Sequence, residues 1–482
     1  MERARAEELA LYDTLTRSTV PIRAQDHKAI RIYCCGPTVY RDAHVGNLRT
    51  FLLTDLVHRT LRFLGSEVKI IQNITDVGHM SEDFDEDKLL QASKVEKRDP
   101  FAIARDYERR FHEDCGALNI IPANHYPRAS ECIELMIQHI QQLMDQGLAY
   151  QGSDGSVYFS AEKFASYGEL SGNRLDALRP GHRYDYSESG AKNFHADWAL
   201  WKSAGARTEM IWETPWGRGF PGWHIECSAM SLHYLDGHID LHIGGIDLRF
   251  PHHENERAQS NPLISSQGEL EAVSAWLHGE HLLFEGRKMS KSSGNVVLVS
   301  DLKARGIDPL ALRFCFMENN YRSQMDLSWD GLRAAHMTLM RWRQRFQEWQ
   351  KSASNEPAQR DDSVVEETVA AIVASFCADL DTSRAMIQMR TLERDSSLSD
   401  SQRMAIFTIL DPLLGLNLLT GVTPQELPSG AAELLAQRQE ARMKRDFAAS
   451  DLLRNRLTEL GVQVRDTDQG QIWQLISRIN LP

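Results

Sequence analysis

Residues 33–47, Tyr-Cys-Cys-Gly-Pro-Thr-Val-Tyr-Arg-Asp-Ala-His-Val-Gly-Asn, constrain the fold more than any other stretch. Ile30 to Tyr33 read as a short buried strand, Gly36-Pro37 breaks it, and the apolar spacing from Thr50 to Leu64 predicts an amphipathic helix. Strand, turn and helix in that order form the first unit of a nucleotide-binding α/β domain, where phosphates meet helix N-terminal amides at the ends of parallel strands. His44-Val-Gly-Asn47 falls where the helix begins. Gly46 lets a phosphate or base approach the backbone, and His44 can donate to a phosphate oxygen. An ordinary strand-to-helix turn with a surface histidine fits the same residues.

A chain of 482 residues, 42% of them hydrophobic, has material for several cored domains. Its first ten residues hold no apolar run and no later run reaches membrane-spanning length, so a soluble, cytoplasmic protein is expected. Seven cysteines scattered over positions 34, 35, 115, 132, 227, 315 and 377 point to reduced thiols, some free to bind metal. The net charge of −13 excludes a generally basic nucleic-acid binder but not a local basic surface. Leu11 to Arg17 reads as an extended lead-in, and Val68-Lys-Ile-Ile-Gln72 as the next core strand. Thr75 and Asp76, at its end, are candidate ligand contacts or a simple turn. An acidic surface loop is expected from Ser81 to Lys97, helices over 100–118 and 129–147, and a hairpin over 149–159 around Ser-Asp-Gly.

Two further stretches carry metal chemistry: Pro221-Gly-Trp-His-Ile-Glu-Cys-Ser-Ala-Met230, and the run from Asp240 to Glu256 that ends Phe-Pro-His-His-Glu-Asn-Glu. If a helix starts at Pro251, His252 and Glu256 lie on one face, a spacing that suits two ligands of one ion. Alone, the pair reads as a solvated helix face and Cys227 as a small buried residue. Cys35 at a strand end adds a third donor. Successive residues on a strand point to opposite faces, so only one of Cys34 and Cys35 can readily aim at the crevice.

Lys288-Met-Ser-Lys-Ser292, followed by Ser-Gly-Asn295, is a basic loop bounded by Gly286 and Gly294. With His44-Val-Gly-Asn47 it resembles the two signatures of class I aminoacyl-tRNA synthetases. Cys35-Gly-Pro-Thr-Val-Tyr40, Trp223-His-Ile-Glu-Cys227 and Phe250-Pro-His252-His-Glu-Asn-Glu256 resemble those of the cysteinyl-tRNA synthetase family within that class. The first signature departs from the usual His-Ile-Gly-His in Val45 and Asn47; Asn keeps a hydrogen-bond donor but carries no charge. Thr75-Asp-Val-Gly-His79 departs where many relatives continue Asp-Asp-Lys.

The resemblance implies one zinc ion per chain held by Cys35, Cys227, His252 and Glu256. It implies catalytic roles for His44, Asn47, Lys288 and Lys291, with Gly46 and Asp247 also at the nucleotide, and a substrate pocket of Gly36, Thr38, Thr75, Trp223 and His242. Zinc would select cysteine by its thiolate, a soft ligand that serine lacks. ATP with Mg²⁺ is the implied co-substrate, L-cysteine and cysteine tRNA the other partners, with no membrane and a monomeric state. Cysteinyl-adenylate forms first, and the tRNA terminal adenosine then takes the acyl group.

The implied fold is α/β: a Rossmann-like doubly wound parallel-sheet catalytic domain with an insertion, then a helical bundle and a small C-terminal mixed α/β module. The expected units are 1–114, nucleotide-binding first half; 115–215, insertion; 216–285, second half with the zinc site; 286–330, lysine loop and stem contacts; 331–423, helical bundle; and 424–482, anticodon-binding module. Single amphipathic runs are expected over 331–352 and 362–389, and one basic C-terminal helix carrying Arg438, Arg442, Lys444, Arg445, Arg454 and Arg456, with Trp473 in the following hairpin. Two alternatives use the same residues: a cysteine ligase acting on an amino sugar, and a non-catalytic tRNA-binding paralogue.

Overall fold

A computed structural model describes residues 8–26, 28–77, 88–178, 191–265, 270–289, 294–353, 362–419, 428–460, 462–467 and 470–475. Its centre is a parallel sheet in the order Trp276–Gly279, Leu241–Gly245, Ile30–Cys34, Val68–Gln72. The two inner strands lack a polar alternation because both of their faces are covered, the usual condition of a parallel sheet. Register places Tyr33 opposite both Ile71 and His242, and His242 opposite Trp276. The Leu241–Gly245 and Trp276–Gly279 strands run two residues past the level of Cys34 and Gln72, so Cys35, Asn73, Gly245 and Gly279 lie at the same end of the sheet.

The helix after the first strand runs Val45–Phe63, five residues earlier than its apolar spacing from Thr50 suggests. The cause is its cap. His44 Nδ1 accepts the Asn47 amide N–H at 3.2 Å, and Asn47 Oδ1 accepts the His44 amide N–H at 3.2 Å. This reciprocal capping box satisfies N-terminal amides that residues as weakly helix-forming as Gly46 and Asn47 would otherwise leave exposed.

Pro100–Ala117 is a helix capped by Asp99, whose Oδ2 accepts from the Ala102 amide at 2.8 Å. Ile133–Asp145 follows, preceded by a separate turn at Ala129–Glu131. Residues 81–87 of the acidic stretch lie outside the described residues, and Lys88–Glu96 is helical. The 149–159 hairpin forms, and two more antiparallel strands, Trp198–Ser203 and Gly219–Pro221, extend it into a four-stranded sheet. That last strand lies past residue 215 and leads straight into the Trp223–Tyr234 helix.

Beyond the second half of the sheet come helices Trp329–Ala353, Asp362–Cys377, Thr382–Leu392 and Asp400–Leu414. The amphipathic run over 362–389 is thus two helices. Asp379 and Leu380 take positive φ (54° and 49°), and Asp381 caps the second helix by accepting the Arg384 amide N–H at 3.0 Å. The basic C-terminal helix is likewise two, Ala431–Met443 and Phe447–Glu459, divided where Arg445 takes φ 57° and Asp446 caps the second. With the hairpin Val462–Thr467 and Gly470–Leu475 they enclose a separate small core of Ala431, Leu435, Leu457, Val462 and Val464. Arg438, expected on a basic outer face, is instead fully buried. Its guanidinium holds both Asp466 oxygens at 2.9 Å, and Arg442 and Arg454 turn to the same carboxylate. The side chain of Trp473 lies outside the described part. Among the described residues no helix is long and apolar enough to cross a membrane.

Buried neutral histidines should make this fold acid-sensitive. His139, in the Ile133–Asp145 helix beside buried Met136, Ile140 and Leu143, is pushed down to about 4 by burial. An unfolded histidine titrates near ~6.5. Between those values only the unfolded chain takes up the proton, so the contribution is complete above ~6.5 and lost as pH falls through about 4. His139→Leu should therefore lose less stability than the parent between pH ~7 and ~5, by on the order of 1–2 kcal/mol. Denaturant melts at the two pH values measure it; equal losses would show that His139 is not protonated on unfolding.

Candidate functional site

The crevice is lined by four elements that meet at Cys35. That residue follows the Ile30–Cys34 strand, and the alternation of the strand separates the two thiols. Cys34 turns to the Val45–Phe63 helix, where Thr54 Oγ1 donates to its sulfur at 3.2 Å, and burial pushes it up to about 12. Cys35 turns the other way, with its Sγ 3.9 Å from Cys227 Sγ and 3.8 Å from Glu256 Oε1. Gly36 is required just after it. A Cβ there would lie 1.5 Å from the Asn73 carbonyl oxygen, and the Gly36 amide donates to Asn73 Oδ1 at 2.8 Å.

Cys227 comes from the Trp223–Tyr234 helix, one turn after Trp223. His252 and Glu256 come from the turn 249–253 and the first turn of the Glu254–Ile264 helix, so the four-residue spacing brings them together, with His252 Nε2 3.0 Å from Glu256 Oε1. The His252 ring stacks on Trp223 at 4.1 Å, and its Nδ1 lies 2.9 Å from His224 Nδ1. Cys35, Cys227, His252 and Glu256 thus form one buried cluster with donor atoms within 4.8 Å of one another.

The electrostatics of this cluster ask for a cation. Burial holds Glu256 well above the ordinary carboxylate range and drives the Cys35 thiol up as well. Burial also opposes ionisation of Cys227, but the hydrogen bond from Cys35 and the neighbouring His252 bring it down to about 7. Glu256 Oε2 is buried without a hydrogen-bond partner, and His252 Nε2, also buried, faces Glu256 Oε1 at 3.0 Å without the geometry of a hydrogen bond, an unfavourable state for polar atoms unless an ion takes their lone pairs. Two sulfurs, an imidazole nitrogen and a carboxylate are a zinc donor set in chemistry and in number. The residues present fit the metal.

Sequence reasoning passed over His253. Its Nε2 lies 3.4 Å from Cys35 Sγ, and its Nδ1 lies 2.8 Å from His278 Nε2. The signal was available, because a histidine three residues before Glu256 faces the same side of a helix as one four before it. His242, on the Leu241–Gly245 strand, places Nε2 3.5 Å from Cys35 Sγ and stacks on Trp276 at 4.6 Å. Burial keeps both rings well below the usual histidine range, and so neutral.

Thr75 is buried beside the cluster, accepting from Asn73 Nδ2 at 3.0 Å and donating to Glu226 Oε2 at 3.1 Å. Thr38 bridges to it in parallel backbone pairing. Asp76 turns away from the crevice. Its carboxylate accepts from the Ser130 amide at 2.8 Å and hydroxyl at 2.6 Å, with Arg105 at 3.3 Å.

The second cluster lies at the N-terminus of the Val45–Phe63 helix. Burial, helped by the nearby Arg41 charge, lowers His44 to about 4, so its ring is neutral at physiological pH. With Nδ1 accepting from Asn47, the ring proton sits on Nε2 as a donor. Asn47 spends its carbonyl on the cap, which accounts structurally for an amide at this position. Gly46 faces Met289, whose Cε would lie 2.7 Å from an added Cβ, so its small size accommodates a side chain of the lysine loop. The Val45 amide donates to the Val297 carbonyl at 2.9 Å, a second tie between the two segments. Lys288 is exposed on the short strand Arg287–Lys288, and Asn295 Nδ2 donates to its carbonyl at 3.1 Å. Lys291 lies outside the described residues. Asp247 is exposed across from His44, with its Oδ1 above Gly245.

Comparison with known proteins places the chain among known families. The family described as tRNA synthetases class I (C) catalytic domain matches residues 21–337, and that described as cysteinyl-tRNA ligase anticodon binding domain matches residues 425–473. A cysteine–tRNA ligase of Thermus thermophilus is 39% identical, over 97% of this chain and 99% of its own. That of Chlamydia caviae is 36% identical, over 96% and 97%. Among solved structures, Mycobacterium tuberculosis methionyl-tRNA synthetase in complex with methionyl-adenylate superposes with a TM-score of 0.55 at 17% identity, covering 88% of this chain and 96% of that one. That likeness concerns the fold.

Proposed function

The chain belongs to the cysteine–tRNA ligase family of class I aminoacyl-tRNA synthetases, and from that premise we propose how its residues divide the work. It is an ATP-dependent ligase that joins L-cysteine to cysteine tRNA through cysteinyl-adenylate. The observation that carries the site reading is the buried convergence of Cys35, Cys227, His252 and Glu256 beside the capped helix N-terminus.

Those four residues would hold zinc, which when bound supplies a soft Lewis acid that favours a thiolate over a hydroxyl. Cys35 and Cys227 approach from the strand and one helix, His252 and Glu256 from another, and Trp223 keeps the His252 ring in place by stacking. Gly36, Thr38, Thr75 and His242 line the cysteine pocket beside them. His44 donates from Nε2 to an ATP phosphate, and the N-terminal end of its helix adds the partial positive charge of the helix dipole. Asp247 faces the nucleotide ribose. Lys288 and Lys291 neutralise the charge that grows on pyrophosphate as the cysteine carboxylate attacks the α-phosphate. Mg²⁺ accompanies ATP. We take residues 331–423 to dock the tRNA and 424–482 to bind the anticodon, with the enzyme a cytoplasmic monomer. The amino-sugar ligase and non-catalytic alternatives are not favoured: relatives named as cysteine–tRNA ligases match along nearly the whole chain, through the C-terminal module.

Lys288→Ala should lower the rate of cysteine-dependent pyrophosphate exchange ~10²-fold with little change in the cysteine KM, because its charge counts only as pyrophosphate separates. A rise in KM for cysteine at unchanged rate would place Lys288 in ground-state binding instead. Charging of cysteine tRNA by the native protein tests the function as a whole. Adenylate formed without charging would point to another acceptor.

A further inference from the structure

The cluster offers more donors than one ion uses. Cys35, His242, His253 and Glu256 form a second buried group whose donor atoms also lie within 4.8 Å of one another, and it shares only Cys35 and Glu256 with the first. Its edges are 3.5 Å from Cys35 Sγ to His242 Nε2, 3.4 Å to His253 Nε2 and 3.8 Å to Glu256 Oε1, with 3.7 Å from His242 Nε2 to Glu256 Oε2 and 4.0 Å from His253 Nε2 to Glu256 Oε1. A tetrahedral zinc ion with ordinary bond lengths needs edges of about 3.3–3.6 Å. The two edges from Cys35 to the histidines fall in that range, and the three that involve Glu256 exceed it by 0.1–0.4 Å, so a small turn of the Glu256 carboxylate would close the second group on an ion. The Cys227 and His252 donors of the first group lie outside it, so the two groups join along the Cys35–Glu256 edge.

The surroundings of His253 are those of a metal ligand. Its Nδ1 lies 2.8 Å from His278 Nε2, and His278 Nδ1 lies 2.7 Å from Thr14 Oγ1. Read as N–H donation outward along this chain, from His253 to His278 to the Thr14 hydroxyl, the relay leaves a lone pair on His253 Nε2, facing Cys35. A metal-ligating histidine characteristically donates its other ring N–H to such a partner. The reverse order would instead make His253 Nε2–H a donor to the Cys35 sulfur.

We propose that Cys35, His242, His253 and Glu256 form a second, weaker site for a thiophilic divalent ion such as zinc or cadmium, with Cys35 and Glu256 bridging it to the first. The proposal deepens the zinc reading of the active site and rests on it. Because His242 belongs to the cysteine pocket of that reading, the second ion and cysteine compete for the same space.

The test is metal counting on the full chain. Metal-free protein is equilibrated under reducing, anaerobic conditions with rising zinc, and bound ion is measured by elemental analysis; ¹¹³Cd spectra of cadmium-loaded protein report the donor types. The native protein is expected to bind a second equivalent after the first, with two distinct cadmium resonances, the more sulfur-rich from the tight site. His253→Gln should stop at one equivalent and keep the sulfur-rich resonance, whereas Cys227→Ser should lose that resonance. Circular dichroism checks that each variant is folded, and the native count depends on no variant. Saturation of the native protein at one equivalent overturns the second site and leaves the first standing. Two equivalents retained in folded His253→Gln also overturn the proposed ligands. No bound ion at all sinks the zinc reading itself.

Discussion

Cys227→Ala should lose both bound zinc and cysteine activation, while Cys34→Ala should keep both. The two substitutions delete the same thiol from buried positions, and they differ only in where that thiol points. Cys227 Sγ faces Cys35 at 3.9 Å and is held near an ionised state, down at about 7, by the Cys35 hydrogen bond and His252. Cys34 Sγ faces Thr54 on the far side of the strand and is held protonated, at about 12. Removing one of four ligands leaves Cys35, His252 and Glu256 as a three-donor site too weak to retain the ion through purification. Selection of cysteine then falls back on pocket shape, which for a group of methylene size supplies only ~1–3 kcal/mol. The expected loss in kcat/KM for cysteine-dependent pyrophosphate exchange is at least ~10³-fold, or ~4 kcal/mol of transition-state stabilisation. Elemental analysis of the purified variants and the exchange assay decide it together. Zinc and activity surviving in Cys227→Ala would remove this residue from the site. Their loss in Cys34→Ala, with the fold intact, would put the ligand on the other face of the strand.

Much of this site could be read from sequence because local rules govern its parts. Alternation along a strand separates Cys34 from Cys35. The helical repeat pairs His252 with Glu256. A Gly-Pro break between an apolar run and an amphipathic one marks the crevice. What sequence did not show depends on partners distant in the chain. Asp76 follows the same strand end as Thr75, yet it is claimed by Ser130 and Arg105 from the next segment. The run 362–389 has an unbroken amphipathic pattern, but Asp379 is drawn out of the helix by Tyr12, Tyr321 and Arg322, which all bond its carboxylate. Arg438 looks like one of several surface arginines until Asp466, 28 residues on, folds back over it. His44 and Asn47 were read for chemistry, and the cap they form, which decides where the helix starts, uses side-chain groups that neither composition nor periodicity registers.

A larger consequence of such distant partners lies on the same helix. Asp55, three turns below His44, should destabilise the protein by ~3–5 kcal/mol when replaced by Ala. Its carboxylate is fully buried. Oδ2 holds Arg313 Nη1 at 2.5 Å and Arg59 Nε at 2.7 Å, and Oδ1 accepts from the Ile121 amide at 2.8 Å. Arg313 is also fully buried, and its Nε donates to the Leu414 carbonyl at 2.6 Å, where the Asp400–Leu414 helix ends. Gly415 must be glycine there, since its φ is 66° and a Cβ would lie 2.6 Å from the guanidinium carbon. Arg59 completes the knot with the Pro412 carbonyl at 2.7 Å. One carboxylate therefore binds the signature helix to the helical region and compensates two guanidinium groups that have no water to turn to. Burial disfavours its charge, and the two arginines outweigh burial to keep its pKa below the usual range. Asp55→Ala leaves Arg313 charged and buried without a counterion, which is why the cost exceeds that of a surface pair, ~0–1 kcal/mol. Asp55→Asn, which keeps an acceptor for Ile121 but removes the charge, separates the two contributions. It should recover only the smaller part, about 1 kcal/mol for one hydrogen bond. Equilibrium denaturation of both variants measures this. A cost below ~1 kcal/mol for Asp55→Ala would mean that Arg313 finds other compensation from the carbonyls around it, and that the junction does not depend on the ion pair.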